Sequence, residues 1–345
     1  MPERWDIVLR SACALPRNFV VERRLEGFIA NAQRPHLQVA EMDAAGAIVD
    51  AFVPCQLDRD AGGARAVFLL AEATATASAR YFCIQLADIK PPGDELIELR
   101  QGVLHQEQES YQISTPGATY FYHERGAGFA SLIDRDGNDW ISYRPFGGSD
   151  GAYRGIPNLA HPENYFHPGG TGCRSRILNA GPLKITIASE SVDGQWACRW
   201  EVYPTQARLT VLKVGHPYWF LYEGTPGGAL DEAGDYCVTS DGRRRALSER
   251  WEGALPQPEW IYFGAPNADR VLYLAHHESD QLMDSYWPME GNMTVFGFGR
   301  DGLTKFMTET PARFTIGFAE TKEFAAVREL IGAVTQPVSI SEASR

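Results

Sequence analysis

Side chains that move protons or bind anions are concentrated in one loop-like stretch of the chain, residues 153–170. Proline and glycine interrupt this stretch, which is typical of a loop at the rim of a sheet, where sites are commonly built. The side chains concerned are Tyr153, Arg154, Asn158, His161, Glu163 and His167. Histidine titrates near neutral pH, so the stretch predicts acid–base chemistry with His167 as acid or base. A structural loop whose histidines bind backbone carbonyls is the alternative.

Strand ends elsewhere in the chain supply further acid–base residues. His123 ends the strand ATYFYH and shares a face with Phe121, so a buried structural histidine is the competing interpretation. Tyr222 and Glu223 end an aromatic strand before a Gly-rich turn, and this apolar setting is expected to raise the pKa of the Glu223 carboxyl group. The predicted acid–base residues are His123, His167, Tyr222, Glu223 and His277.

His277 is chosen over its neighbour because of strand geometry. In RVLYLAHHESD the adjacent residues His276 and His277 point to opposite faces of a strand, so they cannot readily serve one ion or one substrate. His277 is expected to face a groove that also contains Tyr286 and Trp287.

No metal ion or cofactor is predicted. A metal site made of His167, one of the two adjacent histidines and a carboxylate lacks HxH or HExxH spacing. The turn DRDGND (134–139) superficially resembles a calcium loop, but Pro145 stands where the bidentate Glu would be required. Calcium or another divalent cation therefore has no support, and the turn is interpreted as a plain hairpin connection.

Aromatic rings together with Arg, Asn and His side chains on a broad sheet are the composition of a sugar-binding surface. Sugar rings have apolar faces that stack on aromatic rings, and their hydroxyl groups need donors and acceptors. The residues predicted to bind substrate are Tyr153, Arg154, Asn158, His161, Trp219, Tyr286 and Trp287.

Composition restricts the partners of the chain. The net charge is −12 over 345 residues, and the longest basic run, Arg243 to Arg245, has only three residues. We therefore expect no binding to nucleic acid or to an anionic membrane. The N-terminal MPERWDIVLR lacks the apolar core of a signal peptide, so we expect a soluble protein, cytoplasmic or periplasmic. Homo-oligomerisation is left open.

The six cysteines show no CxxC or CxxH spacing, which disfavours a zinc knuckle or a thioredoxin-like motif. They are spread thinly along a long chain. We expect reduced thiols, mostly in the core.

Strand-like segments fill most of the chain, which predicts an all-β fold. Residues 1–90 read as short strands and form an immunoglobulin-like β-sandwich module, and DIKPPGDE (88–95) is the expected boundary. Residues 96–345 contain more than ten further strands, which predicts a large antiparallel β-supersandwich. The only helix expected is at 321–334, where apolar residues share one stripe.

A small β-sandwich followed by a long aromatic-rich β region resembles the galactose-mutarotase-like supersandwich proteins. YRGIPN (153–158) and HPENYFHPGG (161–170) carry the local resemblance, the latter through a Tyr-Phe pair and a nearby His that match an NHxYFNL-type strand of aldose epimerases. The group also includes polysaccharide lyases and glycosidase domains. The epimerase Arg/Asn motif and a C-terminal Glu base are not evident, which counts against a mutarotase.

The resulting hypothesis is a carbohydrate-active enzyme of carbohydrate metabolism, a lyase that cleaves a uronic-acid-containing oligo- or polysaccharide by β-elimination. This reaction needs a carboxylate binder, a base for the C5 proton and an acid for the leaving oxygen. Arg154 and Asn158 would bind the carboxylate, and Trp287 would stack on a sugar ring.

Two alternatives remain open. A glycoside hydrolase could pair Glu223 with a second carboxylate such as Glu163 or Glu278. A non-catalytic glycan-binding protein would use the same aromatic surface without turnover.

Overall fold

The computed structural model describes residues 4–28, 36–60, 63–93, 95–142, 153–289 and 291–343. Contacts divide the chain into two units. The first comprises residues 1–97, 178–185 and 332–345, and the second comprises 98–177 and 186–331. The domain boundary expected at 88 to 95 stays a prediction.

The described part of the first 97 residues forms seven strands before the second unit begins. They are β1 (Arg4–Arg10), β2 (Phe19–Arg24), β3 (His36–Met42), β4 (Ile48–Val53), β5 (Cys55–Asp60), β6 (Gly63–Leu70) and β7 (Ala79–Ala87). Apolar side chains at alternate positions give these strands one face to bury. In β7, for example, Phe82, Ile84 and Leu86 share a face and are buried.

The second unit contains the remaining large sheets. Its strands are β8 (Glu98–His105), β9 (Gln108–Ser114), β10 (Ala118–His123), β11 (Gly128–Asp134), β12 (Cys173–Ala180, whose last residues lie in the first unit), β13 (Ile185–Ser191), β14 (Ala197–Val202), β15 (Gln206–Lys213), β16 (Phe220–Gly224), β17 (Tyr236–Thr239), β18 (Arg244–Ala246), β19 (Trp251–Gly253), β20 (Trp260–Gly264), β21 (Val271–His276), β22 (Asp284–Met289), β23 (Met293–Phe298), β24 (Arg300–Asp301), β25 (Thr304–Lys305) and β26 (Ala312–Ala319). One 3₁₀ turn, Pro226–Gly228, follows β16.

The chain ends with the helix α1 (Phe324–Thr335) and the strand β27 (Ser339–Glu342). The helix predicted at 321–334 is present with slightly shifted ends, and Val327 and Ile331 on its apolar stripe are fully buried. β27 pairs antiparallel with β1, so the C-terminal segment completes the first unit.

The first unit is a two-sheet sandwich. One antiparallel sheet has the order β27-β1-β7-β3-β4, and the other has the order β2-β6-β5. The rings of Phe68 in β6 and Phe82 in β7 lie 4.9 Å apart, so side chains of the two sheets pack against each other.

The second unit is built around a nine-stranded antiparallel sheet with the order β12-β13-β14-β15-β26-β21-β20-β17-β18. Two four-stranded sheets, β11-β10-β9-β8 and β16-β23-β22-β19, pack on it. The ring centroids of Phe129 in β11 and Trp200 in β14 lie 4.6 Å apart. Those of Phe220 in β16 and Phe314 in β26 lie 4.3 Å apart, with the rings stacked. The all-β prediction, with large antiparallel sheets packed face to face, is confirmed.

A short segment outside regular strands fills the gap between the two four-stranded sheets. Phe129 of β11 and Ile156 exchange two backbone hydrogen bonds, of 2.7 and 3.1 Å. On the other side, the amide of Glu223 in β16 donates to the carbonyl of Gly155 at 3.1 Å. The backbone at 155–156 therefore joins the two sheets, and it fixes the loop that follows.

Other predictions agree with the structure. All six cysteines are free, and four of them are buried. The turn at 134–139 is a plain hairpin connection in which Asp134 accepts hydrogen bonds from the amides of Asp136 and Asn138. Among the described residues, no helix combines the length and apolar character that crossing a membrane requires.

The first unit contains a buried ion cluster that offers a test of its packing. The ammonium group of Lys184, 1% exposed, lies 2.7 Å from a Glu22 oxygen and 2.8 Å from an Asp58 oxygen. We expect Lys184→Met to lower the free energy of unfolding by about 3 kcal/mol, because it leaves the Asp58 carboxylate buried without its cation. Arg17→Met, which removes the exposed Arg17–Glu72 pair, should cost less than about 1 kcal/mol. Urea titration measures both, and equal losses would refute the prediction.

Candidate functional site

Glu223 occupies the outer face of the four-stranded sheet that contains β16. Tyr222 and Phe220 point towards the nine-stranded sheet, where they contact Phe263 and Phe314. Strand alternation therefore turns Glu223 the other way. The carboxylate is still largely buried, because the loop after Ile156 covers it.

Two side chains of that loop bind the Glu223 carboxylate. The Asn158 amide donates to Oε1 at 3.1 Å, and Nε2 of His167 lies 3.0 Å from Oε2. Because a carboxylate can only accept, His167 donates through Nε2 and its neutral form keeps the lone pair on Nδ1. The Asn158 carbonyl in turn accepts the amide of His161 at 3.1 Å. The structure thus brings Asn158 and His167 of the predicted loop together with Glu223, which the sequence analysis placed at a separate strand end.

The protonation state of Glu223 differs from the sequence-based expectation. Burial by itself raises the pKa of this carboxyl group. The hydrogen bond and charge of His167, the Asn158 amide and the charge of His161 outweigh burial, so the pKa is lowered from its ordinary value. The prediction of a raised pKa for Glu223 is wrong, because it considered the apolar strand and not the donors supplied by the loop. Glu223 is a carboxylate at neutral pH.

His167 is held in place through the two residues that follow it. A side chain at Gly155 would collide with the ring of Pro168, so glycine there lets the loop lie directly on the sheet edge. The amide of Gly169 donates to Nδ1 of His123 at 3.0 Å. These contacts fix the backbone on the C-terminal side of His167.

His123 is fully buried at the end of β10 and accepts the Gly169 hydrogen bond. Burial, with the nearby His105 and His167, lowers the pKa of His123 to about 3. A neutral imidazole is required for Nδ1 to accept from the Gly169 amide. His123 therefore positions the loop, and it is poorly suited to exchange protons near neutral pH.

Gly169 shows why this loop needs glycine. Its φ is +81°, in the left-handed region, and an added Cβ would collide with the Tyr153 ring. Tyr153 itself is anchored, because its hydroxyl donates to the carbonyl of Gln106 at 2.8 Å. The predicted substrate-binding residue Tyr153 thus lies in the site and contributes to the wall against which the loop packs.

Trp219 lies at the start of the same outer face but is only 1% exposed. Two cations cover its ring: Lys305 lies 4.9 Å and Arg300 5.7 Å from the ring centroid. Lys305 also donates to the carbonyl of Ala160 at 2.9 Å. Trp219 therefore contacts the protein's own cations, which differs from the open sugar-stacking surface expected from the sequence.

Lys305 and Arg300 belong to the site but were not predicted. They lie in the short hairpin of β24 and β25, far along the chain from the loop, and no local pattern distinguishes them from surface cations. Lys305 also lies 3.6 Å from Glu163, which contacts His216 at 3.3 Å. The Lys305–Glu163 ion pair therefore connects the hairpin to the loop.

Tyr222 and Tyr286 are placed in the core and not in the site. The Tyr222 hydroxyl donates to the carbonyl of Trp140 and the Tyr286 hydroxyl to that of Leu247, both at 2.7 Å. Burial raises the pKa of both phenols. Their role in the structure is packing, since both point towards the nine-stranded sheet.

The adjacent histidines lie at the end of β21 in the nine-stranded sheet. Nε2 of His277 contacts the hydroxyl of Thr315 in β26 at 2.8 Å, so this histidine is engaged within the nine-stranded sheet. His276 points into the core and pairs with Glu259 at 2.7 Å, with Asp280 3.9 Å away.

Glu259, His276 and Asp280 are spaced closely enough to hold a metal ion. However, both Glu259 oxygens already have partners, the His276 ring and the amide of Asp280. Glu259 is therefore already engaged by hydrogen bonds within the cluster, and the cluster does not include His167.

The loop and its surroundings carry charges of both signs. Arg154, Arg300 and Lys305 contribute positive charge, and Glu163, Glu223 and Asp301 of the same hairpin contribute negative charge. Arg154 is buried next to Gly155, at the join between the sheets. The chain as a whole has a net charge of −12, so these three cations are a local source of positive charge.

The lowered pKa of Glu223 makes a testable contribution to stability. A carboxyl group with a depressed pKa in the folded state stabilises the protein above its unfolded-state pKa, and this stabilisation is lost as the pH falls through the folded-state pKa. We expect wild type to exceed Glu223→Gln in free energy of unfolding near pH 7, and the gap to shrink below about pH 4.5. Urea titrations over this pH range measure the gap. A gap that widens on acidification would contradict the assignment.

Glycine at position 169 can be tested against a matched control. Gly137 also has a left-handed φ, of +90°, but an added Cβ there would meet nothing within 4 Å. Gly137→Ala should therefore cost only backbone strain, about 1 to 2 kcal/mol. Gly169→Ala should cost clearly more, because the Tyr153 ring must move. Equal losses in thermal or urea unfolding would show that the contact with Tyr153 is not limiting.

No known protein family matches the chain, and no curated protein is significantly similar to it. Among solved structures, HI1317 is 13% identical with a TM-score of 0.43, over 65% of this chain and 99% of that chain. A putative mutarotase (YeaD) from Salmonella typhimurium is 14% identical with a TM-score of 0.42, over 65% and 94%. A galactose mutarotase related enzyme from Lactobacillus acidophilus is 10% identical with a TM-score of 0.40, over 62% and 99%. Two of these three structures carry mutarotase names, and all three are similar to the chain only at low identity.

Proposed function

We propose that the protein is a carbohydrate-active enzyme that cleaves a uronic-acid-containing glycan by β-elimination, with His167 as its acid–base residue. The observation that carries the proposal is the buried Glu223 carboxylate, which holds Nε2 of His167 at 3.0 Å. A carboxylate in this position orients the ring and stabilises the imidazolium that forms when Nδ1 takes a proton.

In the proposed reaction, Nδ1 of His167 removes the proton from C5 of a uronate residue. The electrons form a C4–C5 double bond as the C4–O bond breaks, and the imidazolium returns the proton to the leaving oxygen. His167 is partly exposed, with 19% of its side chain accessible, so a substrate can reach it. Proton transfer by a positioned histidine accounts for a rate factor of about 10² to 10⁴.

Local charge supports a uronate as the substrate. Removal of a proton next to a carboxylate is favoured when cations neutralise the charge that develops on that carboxylate. Arg154, Arg300 and Lys305 supply positive charge around the loop. Because Arg154 and Arg300 are buried, we propose that all three cations act on the substrate carboxylate through their charge.

Hydrolysis with paired carboxylates has less support. A glycosidase of that type needs one carboxyl group with a raised pKa as the acid, and the pKa of Glu223 is lowered. Of the partners considered, Glu163 is engaged with His216 and Lys305, and Glu278 pairs with Arg313 at 2.6 Å. Glu223, Glu163 and Glu278 therefore each fit the role of that acid poorly, which favours proton transfer by histidine over hydrolysis with these carboxylates.

The test is incubation with polyuronates and neutral glycans, following ultraviolet absorbance of the unsaturated product and reducing ends in parallel. Wild type should raise both signals on a uronate glycan only. His167→Ala should lower kcat/KM by about 10² to 10⁴-fold, and Glu223→Gln by about 10²-fold, because proton transfer and ring orientation are lost. His36→Gln, which changes a histidine of the first unit, should retain wild-type activity.

Each alternative gives a different result. Reducing ends without ultraviolet absorbance would refute elimination and favour hydrolysis. Binding without either signal would favour a glycan-binding protein. Full activity of His167→Ala, with unchanged folding by circular dichroism, would remove His167 from the mechanism.

A further inference from the structure

Glu223 belongs to a row of outward-facing residues that crosses its sheet. In the antiparallel register, Glu223 of β16 lies opposite Val295 of β23, and Val295 lies opposite Trp287 of β22. Residues directly opposite each other point to the same face of a sheet. Trp287 therefore shares the outer face with the Glu223 carboxylate, two strands away.

The inward residues confirm this assignment of faces. The neighbouring row of the same sheet consists of Tyr222, Phe296 and Tyr286, which lie opposite each other. Each of these residues is adjacent in its strand to a member of the row of Glu223, Val295 and Trp287. Tyr222 and Tyr286 are fully buried, and their rings and that of Phe296 lie 5.2 to 6.3 Å from Phe263 of the nine-stranded sheet. The row of Glu223 and Trp287 consequently faces away from the nine-stranded sheet. Its middle residue, Val295, is 4% exposed and packs in a second apolar cluster with Trp219 and Leu221, so accessible surface is regained only at Trp287.

Trp287 differs from the other tryptophans of this sheet region. It is 40% exposed, whereas Trp219 on the same face is 1% exposed and covered by cations. The guanidinium group of Arg250 lies 5.5 Å from the centroid of the Trp287 ring. The exposed indole of Trp287 can stack on the apolar face of a ligand, and the adjacent Arg250 guanidinium can bind an anionic group of the same ligand.

We infer that Trp287 and Arg250 form a second sugar-binding subsite, which takes an anionic sugar residue next to the one that reacts. The inference rests on the proposed function for the identity of the sugar as a uronate. Neighbouring strands are about 4.8 Å apart, so the backbones of Glu223 and Trp287 are separated by about 10 Å. One pyranose ring does not cover that separation, so the substrate is an oligosaccharide and a monosaccharide is too short.

Stacking and charge have distinct roles in this subsite. The indole contacts the apolar face of the sugar, which is common to neutral and acidic sugars. The Arg250 guanidinium can form paired hydrogen bonds with a carboxylate, which only a uronate provides. Loss of Trp287 should weaken binding of any oligosaccharide that reaches the subsite, whereas loss of Arg250 should weaken binding of the acidic form alone.

The experiment is isothermal titration calorimetry of the full chain with oligouronates prepared from pectate and from alginate, from the monosaccharide to the hexasaccharide. The His167→Ala background prevents turnover during the titration. Trp287→Ala should raise the Kd of the longer oligosaccharides about tenfold, equivalent to about 1.4 kcal/mol, and leave the monosaccharide unchanged. Trp287→Phe should retain most of the affinity, because it keeps an aromatic face. Phe52→Ala, which removes an exposed aromatic ring of the first unit, is the matched control and should bind as the background does.

Methyl-esterified pectate oligosaccharides separate the two contributions. Arg250→Gln should raise the Kd of the acidic oligosaccharides severalfold and leave that of their methyl esters unchanged. Equal Kd values for Trp287→Ala and the background across the series would overturn the subsite, as would an absence of binding to every oligosaccharide. Binding that depends on Trp287, with no unsaturated product from wild type, would support the subsite and refute elimination. Unsaturated product together with Kd values independent of Trp287 would support elimination and overturn the subsite.

Discussion

The buried carboxylate of Glu223 is the constraint on which the arrangement of the site depends. An ionised group inside a protein is tolerated only when nearby donors replace the water that it has lost. Here the donors are the side chains of Asn158 and His167, both from the loop that covers the sheet. The loop must therefore adopt one path, and that path leaves the His167 side chain partly exposed. Under the proposed function, the two hydrogen bonds that hold the loop also position the acid–base residue.

The residues on which the loop packs also fix its path. The backbone at 155–156 joins two four-stranded sheets, and Gly155 has no side chain that would hold Pro168 away from it. Beyond Pro168, the buried and neutral His123 accepts the amide of Gly169. Three residue types that look unrelated in the sequence, a glycine, a proline and a histidine, thus act together to place His167 without touching a substrate themselves.

Much of this could be predicted from the sequence, and the remainder could not, for identifiable reasons. Strand alternation and turn residues indicated the all-β fold, an apolar stripe at helical spacing indicated the helix α1, and the mixture of His, Asn and Arg indicated the loop. Alternation could not say which face of β16 meets the core, because WFLYE is apolar or aromatic on both faces. Tyr222 was therefore assigned to the site although it packs inside. The pKa of Glu223 depends on donors some sixty positions earlier, and Lys305 reaches the loop only through the fold. Such long-range contacts leave no periodic pattern.

The join at 155–156 has a consequence for how such a protein can diversify. The segment that precedes His167 also completes the layer of strands beneath it, so an insertion or deletion there would disturb the closure of the sheets and the position of His167 together. The exposed side chains of β19 and β22 lie on the other side of the same sheet, where substitutions cost folding little. Under the proposed function, changes of glycan preference are therefore expected at these exposed positions, and changes of length at 155–156 are expected to be poorly tolerated.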